Sequence, residues 1–382
     1  LNFIIFIYFF MKYKFVCLNC KKTINPNPNI SICPNSDCEG ACEIVYTNRN
    51  TKSLQEILIP LSNISNLLNL GQGNTPVIRL NTLSKHLGIK NIYAKLEYMN
   101  PTGSFKDRGS AMMISALNEF GINELVEDSS GNAGASISAY SAYAKMKSHI
   151  FVPEDAPKNK VSQIQLYGSI VHKIPGPRDN SAIAAIKYSK ENSIPYSSHN
   201  LSPYFIEGTK LFGHEVINHF NDKQPEHILF PVGNGSLLIG SYKAYEERKK
   251  INPDIKIPKH HAIQTESIPP IIEIFSNNNW STEQAKPTLA NGIAILNPPR
   301  KYQSADVIKK TNGQGIKVSD ESILDWQKKL AKKDGIFAEI TSAAIFSGLE
   351  KLIKQKIILP GDDVLLPITG FGLKDPPKDL FN

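Results

Sequence analysis

The sequence lacks a long apolar run, a concentrated basic patch, internal repeats and low-complexity tracts. Of its 382 residues, 41% are hydrophobic and 20% are charged, so the chain can bury a large core and is long enough for two or more domains. The net charge of +8 is dispersed along the chain. This dispersal argues against a nucleic-acid partner and is compatible with a small anionic ligand.

A recognisable signal peptide is also missing. Residues 1–10 are apolar, but the stretch is too short to predict a membrane span, and no small-residue cleavage pattern follows it. We predict that translation starts at Met11 and that the preceding residues are upstream read-through; a membrane tether is the alternative. The expected protein is cytoplasmic and has no membrane partner.

Cysteine is absent after position 42. Cys17 and Cys20 are separated by two residues, a gap that lets both thiolates reach one tetrahedral ion, and Cys33 follows at a distance typical of a zinc ribbon. Cys38 departs from the pattern, because four residues separate it from Cys33. Three interpretations remain open: a structural zinc site formed by these four cysteines, a ribbon that has lost its metal, and disulfides, which a cytoplasmic location disfavours.

After the cysteines, a linker with a short helix is expected at residues 54–70, and strand-like and helix-like patterns then alternate. The predicted strands are residues 92–98, 124–128, 149–153, 169–172, 226–232 and 363–368. The predicted helices include residues 111–117, 135–145 and 158–167. Alternation at this spacing predicts an α/β fold in which parallel sheets are flanked by helices.

Lys106 lies between a predicted strand and a predicted helix, in the glycine-bounded segment 101–109. At such a junction a compact site can hold one amine close to a ligand, whereas most lysines in loops are simply solvated. Partial burial beside the positive end of a helix would lower the pKa of the amine and supply its neutral, nucleophilic form. The segment is therefore a candidate site that needs support from other motifs.

Two further turns join predicted strands to helices. The turn Gly233-Asn234-Gly235-Ser236-Leu237 lets backbone amides approach an anion closely, and the helix end favours a phosphate. It lacks the dinucleotide spacing G-x-G-x-x-G, and no convincing acid follows about twenty residues later; a purely structural turn is the alternative. The turn Ser129-Ser130-Gly131-Asn132-Ala133-Gly134 suits a carboxylate and, equally, a helix N-cap.

These segments resemble, in the same order, the motifs of fold-type II pyridoxal-phosphate (PLP) enzymes, most closely those of the threonine synthase group. The matching segments are residues 73–77, 97–109, 129–134, 233–240 and 367–375. The resemblance extends from about Gly73 to Lys374. It implies a large PLP-binding domain at residues 49–111 and 205–382, a small inserted α/β domain at residues 112–204, and the cysteine-rich module in front at residues 1–48.

The resemblance also implies roles for individual residues. Lys106 would form the Schiff base with PLP and carry protons, Asn132 would touch the ring, and Thr369 would bind the pyridine nitrogen without holding it protonated. The residues implied for the cofactor phosphate are Gly233, Asn234, Gly235, Ser236 and Leu237. Those implied for the substrate carboxylate are Ser129, Ser130, Gly131, Ala133 and Gly134.

The implied activity is that of a carbon–oxygen lyase, a homodimer that converts O-phosphohomoserine and water to threonine and phosphate. Phe205 and Phe371 depart from the family pattern, which has an arginine and a histidine at these positions. Three alternatives therefore stay open. They are a β-replacement enzyme on O-phosphoserine similar to cysteate synthase, a serine or threonine dehydratase, and a non-catalytic PLP-binding regulator.

Overall fold

The computed structural model describes residues 13–30, 32–35, 37–47, 57–156, 158–176 and 178–376. The chain forms two compact units: unit 1 consists of Leu1–Gln72 and Lys106–Thr209, and unit 2 of Gly73–Phe105 and Lys210–Asn382. The three domains and boundaries expected from the sequence stay a prediction. The expected translation start at Met11 lies outside the described residues.

The elements form where short apolar runs alternate with longer helical segments. The described strands are β1 (Tyr13–Cys17), β2 (Thr23–Ile24), β3 (Cys42–Tyr46), β4 (Val77–Arg79), β5 (Asn91–Lys95), β6 (Glu124–Glu127), β7 (Lys147–Pro153), β8 (Ile170–Ile174), β9 (His227–Pro231), β10 (Lys259–Thr265), β11 (Gly315–Val318) and β12 (Asp363–Pro367). The described α-helices are α1 (Asn81–Leu87), α2 (Lys106–Glu119), α3 (Asn132–Tyr143), α4 (Lys158–Leu166), α5 (Arg178–Asn192), α6 (Pro203–Phe220), α7 (Ser236–Lys249), α8 (Pro270–Phe275), α9 (Lys301–Lys310), α10 (Asp320–Asp334) and α11 (Ile340–Lys354). Short 3-10 helices lie at Ile64–Asn66, Glu97–Met99, Thr282–Gln284, Asn291–Ile293 and Gly372–Lys374.

The region around Lys106 differs in two details from the sequence-based expectation. The strand expected at residues 92–98 ends at Lys95, and the 3-10 helix Glu97–Met99 follows, its turn held by a hydrogen bond of 2.6 Å from Asn100 Nδ2 to the Glu97 carbonyl. The helix expected from residue 111 begins earlier, at Lys106. The lysine is therefore a helix residue rather than a loop residue.

In the part of unit 1 that the structure describes, two three-stranded sheets are present. The first is an antiparallel ribbon in the order β2-β1-β3, and the second is a parallel sheet in the order β6-β7-β8. β7 is buried along most of its length, as expected for the central strand of a parallel sheet. The carboxyl ends of these parallel strands lie at one edge, and the Ser129–Gly134 turn follows β6 there.

The ribbon packs against the first turn of α6. The hydroxyl of Tyr13 lies 3.1 Å from that of Tyr204, and the Tyr46 hydroxyl donates to Glu207 Oε2 at 2.6 Å. The rings of Phe15 and Tyr204 meet edge to face, with centroids 5.4 Å apart. The buried side chains of the ribbon belong to the same hydrophobic cluster as those of α2 and α3, so the ribbon is part of the core of unit 1.

Unit 2 contains a six-stranded sheet in the order β11-β10-β9-β12-β5-β4, in which β4 is antiparallel to β5 and the other neighbours are parallel. Apolar side chains of the sheet pack with those of α10 and α11 into one buried core. The sheets and helices confirm the predicted α/β fold class. Among the described residues, no helix is both long and apolar enough to span a membrane.

Candidate active site

Lys106 is the first residue of α2 and is half-buried. Its Nζ atom lies 5.8 Å from the centroid of the Phe205 ring, which is fully buried. A Cβ atom at Gly109 would lie 2.5 Å from the ring, so glycine at this position permits the close approach of Phe205. The lysine amine therefore has an aromatic neighbour within the distance at which a cation and a ring attract each other.

A buried glutamate–histidine pair lies in the same unit and was not predicted from the sequence. Glu127, the last residue of β6, is fully buried. Its Oε1 atom lies 2.7 Å from His199 Nδ1, and the backbone N–H of His199 donates to its Oε2 atom at 3.0 Å. The imidazole also packs against Phe205, with ring centroids 5.8 Å apart. Phe205 is thus a neighbour of both the imidazole and the amine of Lys106.

Burial determines the charge of this pair. It raises the pKa of Glu127 to about 8, against the opposing effects of the His199 N–H and of the positive charges of Lys106 and Arg178. Burial lowers the pKa of His199 well below its usual value, and the charge of Lys106 acts in the same direction. At neutral pH the pair accordingly holds one proton and carries no net charge.

The Ser129–Gly134 turn leads from β6 into α3. The helix begins at Asn132, and Gly131 occupies the N-cap position, where no side chain of the described residues supplies a capping hydrogen bond. Ser129 is buried, and its Oγ atom accepts a hydrogen bond of 3.3 Å from the Gly131 N–H. The positive end of α3 therefore has the polarity that a carboxylate requires.

The Gly233–Leu237 turn joins β9 to α7 in unit 2. Gly235 is left-handed, with φ of +80°, and a Cβ atom there would collide with Ser304 Oγ. Ser304 Oγ is buried and has no hydrogen-bond partner in the described part of the chain. A buried donor beside a glycine turn at a helix N-terminus is chemically suited to a phosphate.

Thr369 follows β12 and is buried. Its hydroxyl lies 2.7 Å from the hydroxyl of Ser342, which also accepts a hydrogen bond from the Gly370 N–H at 2.9 Å. The Thr369 carbonyl accepts a hydrogen bond of 3.0 Å from Phe105, the residue directly before Lys106. Unit 2 therefore presents a neutral, oriented hydroxyl of the kind that suits an unprotonated ring nitrogen.

Phe371, one of the two departures from the family pattern, has a packing role. Its ring stacks on Tyr98 with centroids 5.5 Å apart and meets Phe337 edge to face at 6.2 Å. Its backbone N–H donates to the Gly103 carbonyl at 3.0 Å. An aromatic ring at this position thus stabilises the segment that precedes Lys106.

Each unit, considered by itself, holds groups that suit part of PLP. Unit 1 provides a half-buried amine and a helix N-terminus, and unit 2 provides the glycine turn with the Ser304 hydroxyl and the neutral hydroxyl of Thr369. Ser304 and Ser342 had no signal in the sequence, because an isolated serine in a helix is common. Taken separately, the amine of unit 1 suits an aldehyde, and the glycine turn and the Thr369 hydroxyl of unit 2 suit a phosphate and a ring nitrogen; the binding of PLP by these residues stays a prediction.

The structure also gathers the predicted metal ligands in the ribbon. The Sγ atoms of Cys17, Cys20, Cys33 and Cys38 all lie within 4.8 Å of one another. The Cys17–Cys38 and Cys20–Cys33 distances are 3.5 and 3.7 Å, close to the value of about 3.8 Å that tetrahedral zinc with bonds of about 2.3 Å would impose. All four are free thiols, so the disulfide interpretation has no support.

The sequence profile of the family described as "pyridoxal-phosphate dependent enzyme" matches residues 68–370. The chain belongs to this family: it is a lyase that uses PLP. Threonine synthase from Methanocaldococcus jannaschii is 33% identical over 378 residues, which cover 94% of this chain and 92% of that protein. Threonine synthase from Halalkalibacterium halodurans is 34% identical over 319 residues, 83% of this chain and 87% of its own.

Solved structures share the fold. Serine racemase from Dictyostelium discoideum has a TM-score of 0.66 and 25% identity, covering 78% of this chain and 92% of its own. O-ureido-L-serine synthase has a TM-score of 0.68 and 19% identity, covering 81% of this chain and 92% of its own. The architecture is therefore shared with enzymes that bear different names.

Proposed function

We propose that the chain is a threonine synthase that converts O-phosphohomoserine and water to threonine and phosphate. The observation that carries this proposal is the similarity to threonine synthases over nearly the whole chain, 94% of it for the Methanocaldococcus jannaschii relative. Resemblance in the lysine segment, the glycine turn and the Thr369 segment supports it, because these segments hold the groups that the chemistry needs.

PLP, when bound, supplies an aldehyde and an electron-withdrawing ring. In the proposed site Lys106 would hold the aldehyde of PLP, and its amine would carry protons between substrate carbons. Asn132 and Thr369 orient the ring, and the Gly233–Leu237 turn binds the cofactor phosphate. The Ser129–Gly134 turn, at the N-terminus of α3, binds the substrate carboxylate.

We assign the substrate phosphate to Arg178, because Phe205 occupies the place of the family's arginine. Lys210, another candidate cation, is buried and its Nζ atom donates to Glu247 Oε1 at 3.0 Å, so its charge is already balanced. Arg178 is exposed, and its charge favours the ionised form of Glu127 in unit 1. One charge-assisted hydrogen bond contributes about 1.5–3 kcal/mol, so Arg178→Ala should raise the KM for O-phosphohomoserine about tenfold or more.

The role of Lys106 is tested by the covalent state of the cofactor. Protein reconstituted with PLP should show visible absorbance that borohydride removes, with the reduced cofactor attached to Lys106 in a peptide mass map. Lys106→Ala should lose the adduct, whereas Lys147→Ala, a change at an exposed lysine, should keep it. Retention of the adduct at unchanged stoichiometry in Lys106→Ala would show that another residue holds the cofactor.

The substrate is tested with a panel measured side by side on the same holoenzyme. We expect phosphate release and threonine formation from O-phosphohomoserine to be far faster than deamination of threonine or serine. Turnover of O-phosphoserine with sulfite or sulfide, with O-phosphohomoserine inert, would instead assign a β-replacement enzyme. Covalent PLP without turnover of any compound in the panel would favour a regulator.

We propose a structural zinc ion at the four ribbon cysteines. The distances between their sulfur atoms support this, and four thiolates leave no open position for catalysis. We expect about one zinc per chain by elemental analysis. Replacing Cys17 and Cys20 by serine should remove the metal and lower the free energy of unfolding while turnover per folded molecule stays largely intact. Unchanged stability on loss of the metal would contradict the structural role.

The remaining expectations concern partners and location. We propose a cytoplasmic homodimer that acts on a small amino-acid phosphate and binds neither nucleic acid nor membranes. Light scattering of the holoenzyme should give a mass near twice that of the 42.4 kDa chain. A mass of one chain at micromolar concentration would contradict the dimer.

A further inference from the structure

The Glu127–His199 pair is not used in the function proposed above, although its surroundings connect it to Lys106. The Phe205 ring has its centroid 5.8 Å from Lys106 Nζ and 5.8 Å from the His199 ring centroid. Glu127 also lies two positions before Ser129, the first residue of the turn assigned to the substrate carboxylate. A fully buried carboxyl group is therefore placed beside the elements that hold the reacting groups.

The charged groups around the pair come from three elements. Lys106 at the start of α2 and Arg178 at the start of α5 both act electrostatically on Glu127 and on His199. The third charged group is Asp128, which follows β6 and accepts a hydrogen bond of 2.8 Å from the Tyr196 hydroxyl. Burial and the charge of Glu127 both raise the pKa of Asp128. The charge of Asp128 favours protonation of His199 and thus opposes the two cations there.

The geometry of the pair fixes how it exchanges protons. One carboxylate oxygen faces the imidazole Nδ1 and the other accepts the backbone N–H of the same histidine, so the two groups titrate as one unit. When the Glu127–His199 pair holds one proton it is neutral, and when it holds none it carries a negative charge in a buried location. Such a charge would stabilise a positive charge on any nitrogen nearby.

We propose that Glu127 and His199 are positioning residues that control the protonation of the Lys106 nitrogen, by staying neutral at neutral pH and becoming negative in alkaline solution. The proposal rests on the assignment of Lys106 as the cofactor-binding amine. A permanent carboxylate here would hold the free amine as an unreactive ammonium ion. The neutral pair avoids that effect and still fixes the Phe205 ring against the lysine.

The test is the visible absorbance of the PLP holoenzyme as a function of pH, with Glu127→Gln compared to wild type. The amide keeps the shape and the acceptor for the His199 N–H but cannot become negative. We therefore expect the nitrogen that joins Lys106 to the cofactor to lose its proton about one pH unit lower in Glu127→Gln, the size of effect that one nearby charge exerts at an effective dielectric near 20.

The chain offers a matched control in Glu124→Gln, the same substitution at the other end of β6. Its carboxylate is 28% exposed and pairs with His149 Nε2 at 2.7 Å, so we expect the wild-type pH midpoint to be preserved. Equal shifts in Glu124→Gln and Glu127→Gln would overturn the proposal, since the effect would then be one of general charge.

A second variant keeps the test decisive if Glu127→Gln fails to fold. His199→Asn retains a donor toward Glu127 but removes the imidazole, so Glu127 titrates alone and the midpoint should again differ from wild type. A wild-type midpoint in every folded variant would refute the proposal while leaving the cofactor assignment intact. Absence of a visible, borohydride-sensitive band in the wild type would refute the proposed function itself.

Discussion

Strand β6 carries a glutamate–histidine pair at each end, and the two pairs differ in burial and in their further partners although the glutamate–histidine contact is equally short. The contact between Glu124 Oε1 and His149 Nε2 is 2.7 Å, as is the contact between Glu127 Oε1 and His199 Nδ1. Glu124 is part-exposed and meets Lys147 Nζ at 2.7 Å, and hydrogen bonds from Lys147 and then His149 lower its pKa. Burial instead raises the pKa of Glu127 to about 8. The lysine partner at one end and burial at the other, rather than the residue types of the pair, therefore decide the charge of each glutamate.

The two glutamates lie at opposite edges of the parallel sheet. Glu124 opens β6 at the amino edge of the parallel sheet, whereas Glu127 closes it at the carboxyl edge, where the Ser129–Gly134 turn begins. In open parallel α/β sheets the carboxyl edge is where ligands bind. The uncharged acid thus lies at the edge where ligands generally bind, and the ionised acid lies at the opposite, part-exposed edge.

The largest difference between the two ends should appear when a partner is removed from the buried pair. His199→Ala leaves Glu127 without its imidazole partner in a buried position and opens a cavity beside Phe205. We expect the free energy of unfolding, measured in urea at pH 7, to fall by about 3 kcal/mol. A loss below about 1 kcal/mol would break the comparison, because the buried pair would then behave like a surface pair.

The next effect concerns pH. Between pH 6.5 and 8 the unfolded chain has released the proton that the folded Glu127–His199 pair still holds, so stability falls as the pH rises. The unfolded histidine is half-protonated near pH 6.5 and the folded pair has half released its proton near pH 8, so the difference averages roughly 0.6 proton and corresponds to about 1 kcal/mol over this range. Urea unfolding at several pH values should show this slope in the wild type and not in Glu127→Gln.

Glu124, at the other end of β6, should give a pH dependence of stability with the opposite sign. The lowered pKa of Glu124 adds stability above its ordinary value of 4.5, and this stability is lost as the pH falls through the folded value. Glu124→Gln should therefore remove a slope on the acid side and leave the range from pH 6.5 to 8 unchanged. A changed slope in that upper range would mean that the two ends are coupled.

The smallest effect should come from Lys147→Ala. The Lys147 side chain is 55% exposed, and an exposed ion pair contributes about 0–1 kcal/mol. We expect a change within that range, which 1 M salt reduces further because it screens the charges. A larger, salt-insensitive loss would show that Glu124 is not a surface group.

The candidate site residues named from the sequence are those with a local signature, and their roles stay a prediction. Gly235 was a candidate because glycine lets backbone amides approach an anion, and Lys106 because its neighbours form a recognisable segment; the left-handed conformation of Gly235 is seen only in the structure. His199 had no such signature, since 72 positions separate it from Glu127 and only the folded sheet brings them together. An acid at the end of a buried strand, directly before a candidate turn, was the available signal. The strand boundary was missed because residues 97–99 continue the apolar and polar alternation of the strand but form a 3-10 helix.

The contact between the ribbon and α6 has a consequence for how this protein tolerates shortening and change over evolution. The hydroxyls of Tyr13 and Tyr46 satisfy polar atoms of Tyr204 and Glu207, the neighbours of Phe205 on the same helical turn. A chain cut before residue 57 would leave both of these buried groups facing solvent, next to the ring that lies against Lys106. Loss of the ribbon in a descendant would therefore have to be accompanied by new residues at positions 204 and 207.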